Sequence, residues 1–587
     1  MSALREALTG RWRYRPEPGA ARRDLVLLLL LGLLVFSAGI GLKDPWPADE
    51  PRFALIAKEM VATGDWFFPH RAGELYADKP PVFLWSEAAV YAATRSIRLA
   101  HLLPSLVSGL LTLALVYGLG RRLWHRRAGL GAGLTLLLMV QFPLQARTGQ
   151  IDAMATLWTT LGLWGLCRHL LAGPNWRAYH LGFFAMGLGV ITKGVGFLPM
   201  LALIPWGFAR LRHWPGLPEI RGGWRWWLGP LFFLVAIGLW LVPMLTLVAE
   251  SGDPELAAYR NEILWGQTAE RYTSLTGHQH ALWYYPVEAI PSLWMPVVLF
   301  LPWLIPAWWR RLRRRDPRYL LLLGWIALIV LFFTFSSGKR GVYILPAAPA
   351  FALAVGPLAA GLERKTGVRR TALVFVAVLA SIFLAAAAGG WIGADWAADL
   401  EQREGLTPWT FLAVLGLVGL AWVLRLRVRS GVAALAGFFF CAWLLFGWWG
   451  YPLLNPVRTP TKVMARVGEH IGPFGELAMV GWKEQLILNA DRPVTHWGFV
   501  PDHVESLVRP QMPAAVAWLD DPSRSRWLLT SERWLEPCFV RQRAFEVGER
   551  HRRRWFLVDR SALSGACAPA SEPVRSYRTD WMERPPG

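Results

Sequence analysis

Cysteine is scarce, with four in 587 residues and no tight pairs. That excludes a disulfide framework as the main scaffold, and it excludes a Cys-based zinc ribbon. Charge is thin as well, at 18% of residues, and acids are the scarcer sign, 41 Asp and Glu against 62 Lys and Arg. No P-loop or GxGxxG stands between a strand and a helix, so no nucleotide-binding signature is present. What abounds is apolar surface: 54% of side chains are hydrophobic and 35 are tryptophan. A chain of this kind can bury enough to order most of its length. Tryptophan favours membrane–water interfaces and sugar-stacking surfaces.

The apolar residues come in long runs. Residues 24–42 read DLVLLLLLGLLVFSAGIGL, about long enough to cross a hydrocarbon core of ~30 Å. No clear small-x-small cleavage site follows, so this is expected to be a retained first helix and not a signal peptide. Further spans are predicted at 99–119, 128–144, 153–171, 181–192, 194–209, 226–248, 289–309, 319–336, 341–362, 371–392, 408–424 and 431–450. Thirteen spans result, in a membrane domain over residues 24–450.

Charge placement tests this layout, because short loops rich in Lys and Arg stay in the cytoplasm. The segments expected inside, with the adjoining Asp24, hold 28 basic residues and six acids; those expected outside, before the tail, hold 14 basic and 19 acidic residues. The net charge of +21 therefore gathers at the inner face. Nucleic-acid binding is not needed to explain it. Residues 1–23 are expected in the cytoplasm and the C-terminus outside. From 451 to 587 polarity is mixed and no spanning run occurs. An amphipathic helix at 459–471 and strands at 476–482, 526–530 and 554–559 predict a small α/β domain beyond the membrane. Cys538 and Cys567 fall there, as a disulfide suited to an oxidising space or as two thiols. Cys167 and Cys441 lie in spans and read as packing residues.

The candidate chemistry sits on the outer side. The first outer loop, 43–98, predicts two surface helices. One has Asp49 as its cap and Pro51 in its first turn; the other starts at Pro80 and Pro81. Between them stands Asp78-Lys79. Asp49 can be only a helix cap, and Lys79 only a side chain snorkelling to headgroups. Their shared setting also makes a site for a phosphorylated lipid: lysine neutralises phosphate, and a carboxylate takes a proton from an attacking hydroxyl. Lys193 interrupts the apolar run GVITKGVGFLP, where a charge calls for a cavity or a partner. In the second outer loop, 250–288, stand Arg271, His278 and His280; the histidines would suit a metal only with a third ligand from elsewhere. The turn SSGKRGVYILP adds Lys339, Arg340 and Tyr343. Asp49 and Glu50 are too few oxygen ligands to make a metal site by themselves.

PADEPRFALIAKEM, GDWFFPH, YADKPP, LPS at 103–105, ITKG and GKRGVYILP together resemble the GT-C integral membrane glycosyltransferases. The branch most similar is that of the aminoarabinose transferase acting on lipid A, related to the protein O-mannosyltransferases. The resemblance implies a GT-C fold, and transfer of a sugar from a polyprenyl phosphate, most simply undecaprenyl phosphate, to lipid A or another envelope glycolipid at the outer face of the inner membrane. It implies Asp49 as the catalytic acid residue. Lys79, Arg52, Arg271, Lys193 and Tyr343 would lie near the donor phosphate. Glu50, Asp78, Lys339, His278 and His280 are then candidates for contacts with acceptor or sugar, Asp78 standing where that branch usually has Glu. The lipid-linked sugar would be the co-substrate, with no cofactor named and a divalent metal left open. Two rival readings stay open: transfer to protein or polysaccharide, and a polytopic lipid transporter or flippase. No clear internal repeat supports the transporter.

Overall fold

Glycine spacing sets how closely the helices meet. Helix Ile151–Leu170 packs along helix Trp176–Lys193. A Cβ added at Gly165 would lie 2.4 Å from the Ala178 carbonyl oxygen and 2.8 Å from Gly182 Cα, so only bare backbone fits there. Close approach through small residues is how helices associate where lipid offers no hydrophobic drive. The turn between them is set by Asn175, whose side chain accepts from the Ala178 N–H and caps the second helix. The last turn of one helix is thereby fixed beside the first turn of the other.

The structure is a computed structural model that describes residues 19–266, 280–336, 338–501, 508–550, 553–567 and 573–582. It divides into two compact units. The first comprises Met1–Leu42, Asp78–Phe83 and Leu102–Leu453; the second comprises Lys43–Ala77, Leu84–His101 and Leu454–Gly587. Of the first outer loop, Lys43–Ala77 and residues 84–98 group with the tail, and Asp78–Phe83 groups with the helical unit.

The first unit is helical. Among the described residues seven helices are long and apolar enough to cross a membrane, and eight if the bent pair Tyr284–Leu293 and Val297–Arg313 counts as one span. The chain is a multi-pass membrane protein. The difference from thirteen has a local cause at several places. The run expected at 128–144 breaks at Met139, whose backbone is extended, giving Arg126–Leu138 and a short Gln141–Gln145. The stretch after Gly194 forms a 3-10 turn, Leu198–Ala202, before helix Leu203–Leu211. Helix Ala20–Ser37 carries Arg22, Arg23 and Asp24 in its first turns, which shortens its apolar length.

The second unit is α/β. Strands β1 (His70–Arg71) and β2 (Glu74–Leu75) form a hairpin. Six more build one sheet: β3 (Glu476–Met479), β4 (Val494–His496), β5 (Arg526–Ser531), β6 (Phe545–Arg550), β7 (Arg553–Val558) and β8 (Tyr577–Arg578), in the order β6-β7-β5-β3-β4-β8. β3 is parallel to β4 and β5, and the other pairs are antiparallel. Side-chain alternation feeds two cores. Leu477, Met479, Leu529, Trp555 and Leu557 meet Val463, Met464 and Val467 of helix Thr461–Ile471, together with Leu55. Ala478, Leu528, Phe556 and Val558 meet Met512, Ala515 and Leu519 of helix Gln511–Leu519. Cys538 and Cys567 are joined in a disulfide, while Cys167 and Cys441 are free.

Candidate active site

Each unit holds its own cluster of the predicted residues. In the first unit Lys193 ends helix Trp176–Lys193, and Gly194 follows in the left-handed region at φ 80°. Its ammonium is ion-paired with Asp152, in the first turn of Ile151–Leu170, and lies 4.9 Å from the centre of the Tyr343 ring. Asp152 was missed by sequence reasoning. The signal that could have found it is an acid opening one apolar helix on the same membrane side as a lysine closing the next, since intramembrane charges pair. Tyr343 is presented by the 3-10 helix Gly341–Ala347 and also packs on Phe333, ring centres 5.3 Å apart. Lys339 is buried at 8% exposure. Lys79 donates to the backbone oxygen of Asp78 at 2.8 Å. Arg271 and His278 lie outside the described residues. His280 stacks on Tyr284, ring centres 4.1 Å apart. Among the described residues no group of three His, Cys, Asp or Glu could hold a metal ion.

In the second unit Asp49 occupies the N-cap position of helix Glu50–Thr63, yet its carboxylate makes no capping hydrogen bond. It lies instead 3.8 Å from the Arg52 guanidinium, one turn on, with both side chains 22% exposed. Arg52 donates through Nε to Glu484 at 2.8 Å, and Arg71 reaches the same carboxylate oxygen at 3.8 Å. Glu484 opens the short helix Glu484–Leu488 beyond the C-terminal end of β3. Ligand sites of open α/β sheets favour that edge. Sequence reasoning passed over both Glu484 and Arg71, since nothing near them in the chain marks them as partners of residue 52.

Glu50 is a correction. It was expected to face an acceptor or sugar, but its carboxylate is buried, ion-paired with Lys43, and accepts from the Trp46 backbone N–H at 2.7 Å. Burial works to raise its carboxyl, but Lys43 together with His101 and the Trp46 N–H outweighs that and holds it below the ordinary value. Its visible work is to tie the segment leading into Asp49 onto the start of the helix. Glu87, fully buried on helix Val82–Thr94, is pushed well above its ordinary value by burial and then by the Glu50 charge.

The hairpin explains how Arg71 is aimed. Its two-residue loop, Ala72 at φ 56° and Gly73 at φ 91°, takes the doubly left-handed turn that suits tight hairpins. Ala72 would not adopt that backbone unaided. Glu59 supports it by accepting from both loop N–H groups, at 2.7 and 2.8 Å. His496 lies against the Ala72 carbonyl at 2.7 Å. The Arg71 guanidinium is then stacked 3.8 Å from the centre of the Phe499 ring.

A family described as dolichyl-phosphate-mannose-protein mannosyltransferase matches residues 78–242. An undecaprenyl phosphate-alpha-4-amino-4-deoxy-L-arabinose arabinosyl transferase of Pseudomonas fluorescens is 30% identical over 347 residues, covering 57% of this chain and 59% of its own. A transferase of the same description from Pseudomonas savastanoi is 28% identical over 457 residues, covering 75% and 79%. The first relatives are thus matched over 59% of their length. The crystal structure of ArnT from Cupriavidus metallidurans bound to undecaprenyl phosphate superposes with a TM-score of 0.71 at 22% identity, covering 91% of this chain and 97% of that one. This chain therefore has the GT-C fold of the aminoarabinose transferases, and its sequence is similar to theirs and to that of the protein mannosyltransferases.

Proposed function

We propose that this protein is a glycosyltransferase that moves a sugar from a polyprenyl phosphate, undecaprenyl phosphate in a bacterium, to lipid A or a related envelope glycolipid. The reading places thirteen spans in the inner membrane, the N-terminus in the cytoplasm and residues 451–587 in the periplasm. The Cys538–Cys567 disulfide suits that oxidising compartment.

The observation that carries the reading is the group formed by half-buried Lys193 and Tyr343 with buried Asp152, within a membrane-spanning unit. Charge in such a setting marks a functional site. Lys193 and Tyr343, with Lys79, take the donor phosphate, a role the resemblance gives also to Arg52 and Arg271. Their positive charge stabilises the negative charge that grows on the phosphate as the glycosidic bond breaks. Asp49 orients the acceptor, or takes its proton when the acceptor is a hydroxyl. Attack opposite the leaving phosphate inverts the anomeric centre. A phosphate acceptor is already ionised at neutral pH, and Asp49 then only positions it. Asp78, Lys339 and the histidines remain candidates for sugar or acceptor contacts. Glu50 holds the Asp49 segment in place.

The test uses the purified protein in lipid nanodiscs with undecaprenyl phosphate–aminoarabinose and lipid A, followed by mass spectrometry. Modified lipid A is expected from wild type and none from Asp49→Asn with an unchanged unfolding midpoint. Normal turnover by a folded Asp49→Asn variant, or no product from wild type, would overturn the reading.

A further inference from the structure

Helix Leu301–Arg313 has two unlike faces and a charged end. One face is seated: Leu304 and Trp308 are buried, and Trp308 Nε1 donates to the Ala354 carbonyl at 3.0 Å. The other face is bare. Pro302, Ile305, Pro306 and Trp309 are exposed at helical spacing, Ile305 at 56% and Trp309 at 55%. That apolar stripe runs into arginine. Arg310, Arg313, Arg314 and Arg315 are exposed, and Arg311 is half-buried. The Arg313 guanidinium lies 5.2 Å from the centre of the Trp309 ring, where stripe and charge meet.

These guanidiniums have no acid to answer them. Asp316 is the one acid between residues 289 and 362. Arg318 claims both of its oxygens, through Nε at 2.9 Å and Nη2 at 2.8 Å. Among the described residues no carboxylate pairs with Arg310, Arg311, Arg313, Arg314 or Arg315. Capping does not occupy them either. The Arg310, Arg311 and Leu312 carbonyls accept from the backbone N–H groups of Arg314, Asp316 and Arg315. Arg318 also donates through Nη1 to the Leu123 carbonyl at 2.8 Å. That bond brings up the last turn of helix Leu103–Leu123, on which Arg121 and Arg122 are exposed. Like charges gathered in this way repel, and an anion among them relieves the repulsion.

The cluster is remote from the candidate site. Helix Pro317–Thr334 runs from Arg318 to Phe333, which packs on Tyr343. The rise of a helix puts about 22 Å between those two residues, most of a hydrocarbon core. We propose that this surface holds a phospholipid with an anionic headgroup, at the membrane face opposite the candidate site. Arginine forks match phosphate oxygens in pairs. The acyl chains lie along Ile305 and Trp309, and the Trp309 indole marks the water boundary. Apolar stripe and charge adjoin, which suits an amphiphile; a water-soluble polyanion would use the arginines alone. The site does not depend on the transfer reaction.

Native mass spectrometry of the full-length protein in detergent, titrated with dioleoyl phosphatidylglycerol or dioleoyl phosphatidylcholine, measures the lipid retained. Wild type is expected to hold the anionic lipid about tenfold more tightly. The triple variant Arg310→Gln, Arg313→Gln, Arg314→Gln should bring the two lipids within twofold. A second triple variant, Arg425→Gln, Arg427→Gln, Arg429→Gln, changes exposed arginines at the end of helix Trp409–Leu426 and should keep the wild-type preference. Glycerophosphoglycerol, the same headgroup without acyl chains, should not displace the lipid at equal concentration. Unfolding midpoints control for folding. No preference in wild type would overturn the proposal, as would an unchanged preference in the first triple variant. An equal loss in the second would show diffuse charge and no site. Displacement by the free headgroup would overturn the lipid as occupant.

Discussion

Lys193 and Asp152 form an ion pair across two antiparallel helices, one charge in the last turn of its helix and the other in the first turn of the next. Each charge is favoured by the dipole of the helix it ends. The pair is mostly shielded, with side chains 12% and 9% exposed, so removing one partner strands the other. Lys193→Met is expected to cost about 3–5 kcal/mol and to abolish transfer. Lys193→Met with Asp152→Leu should recover most of the stability and none of the activity. Thermal unfolding followed by tryptophan fluorescence, beside the mass-spectrometric assay, separates the two effects. A double variant as unstable as the single one would refute the pairing.

Glu484 holds Arg52 away from a closer approach to Asp49. With Glu484→Gln the guanidinium loses its charged partner, and Asp49 at 3.8 Å becomes the nearest remaining carboxylate to it. An Asp49 engaged by arginine is a poorer proton acceptor. Transfer to a hydroxyl acceptor should fall on the order of a hundredfold, with the unfolding midpoint shifting little. Retained activity would show that Glu484 does not set the Arg52 geometry.

How much of this was legible beforehand depends on the range of each interaction. The helix beginning at Glu50, the second at Val82, and the strands near residues 476, 526 and 554 follow from local periodicity in their position along the chain, although helix Glu50–Thr63, expected to lie along a surface, is mostly buried. The strands at 494, 545 and 577 were missed. β8 has two residues and β4 three, too few to show alternation, and β6 carries a bulge between Glu546 and Gly548 that interrupts its pattern. Asp49, Lys193 and Tyr343 were singled out from local pattern and Arg52 through motif resemblance. Asp152, Arg71 and Glu484 were not, because each acts through a partner distant in the chain. Glu50 was misread for the opposite reason. Its neighbour Asp49 drew it into the site, while the buried Lys43 seven residues earlier claims its carboxylate.

The Cys538–Cys567 bond closes a loop with a sequence separation of 29. Loop-closure entropy for that length corresponds to roughly 3–4 kcal/mol of stabilisation. Chemical denaturation of the Cys538→Ser, Cys567→Ser double variant is expected to show an earlier transition in the tail, matched by wild type in dithiothreitol. An unchanged transition in both would mean the pair contributes nothing to stability.

Glu59 gives the second unit a pH-dependent stability of unusual sign for a carboxylate. Burial lifts its carboxyl to about 7, against an ordinary 4.5, and the Gly73 and Ala72 N–H groups oppose that only in part. The folded chain therefore binds this proton more tightly than the unfolded chain does. Below pH 4.5 both states are protonated and the full contribution is present. Between 4.5 and 7 stability falls as pH rises, by about 1.4 kcal/mol per unit. Above 7 both states are ionised and the loss levels off at about 3 kcal/mol. Glu59→Gln removes the titration and keeps an acceptor oxygen for one of the two loop N–H groups. Unfolding midpoints for this variant and for wild type, taken from pH 5 to 8, should diverge, with wild type losing stability across the interval relative to Glu59→Gln. Parallel pH slopes for the two proteins would refute the assignment.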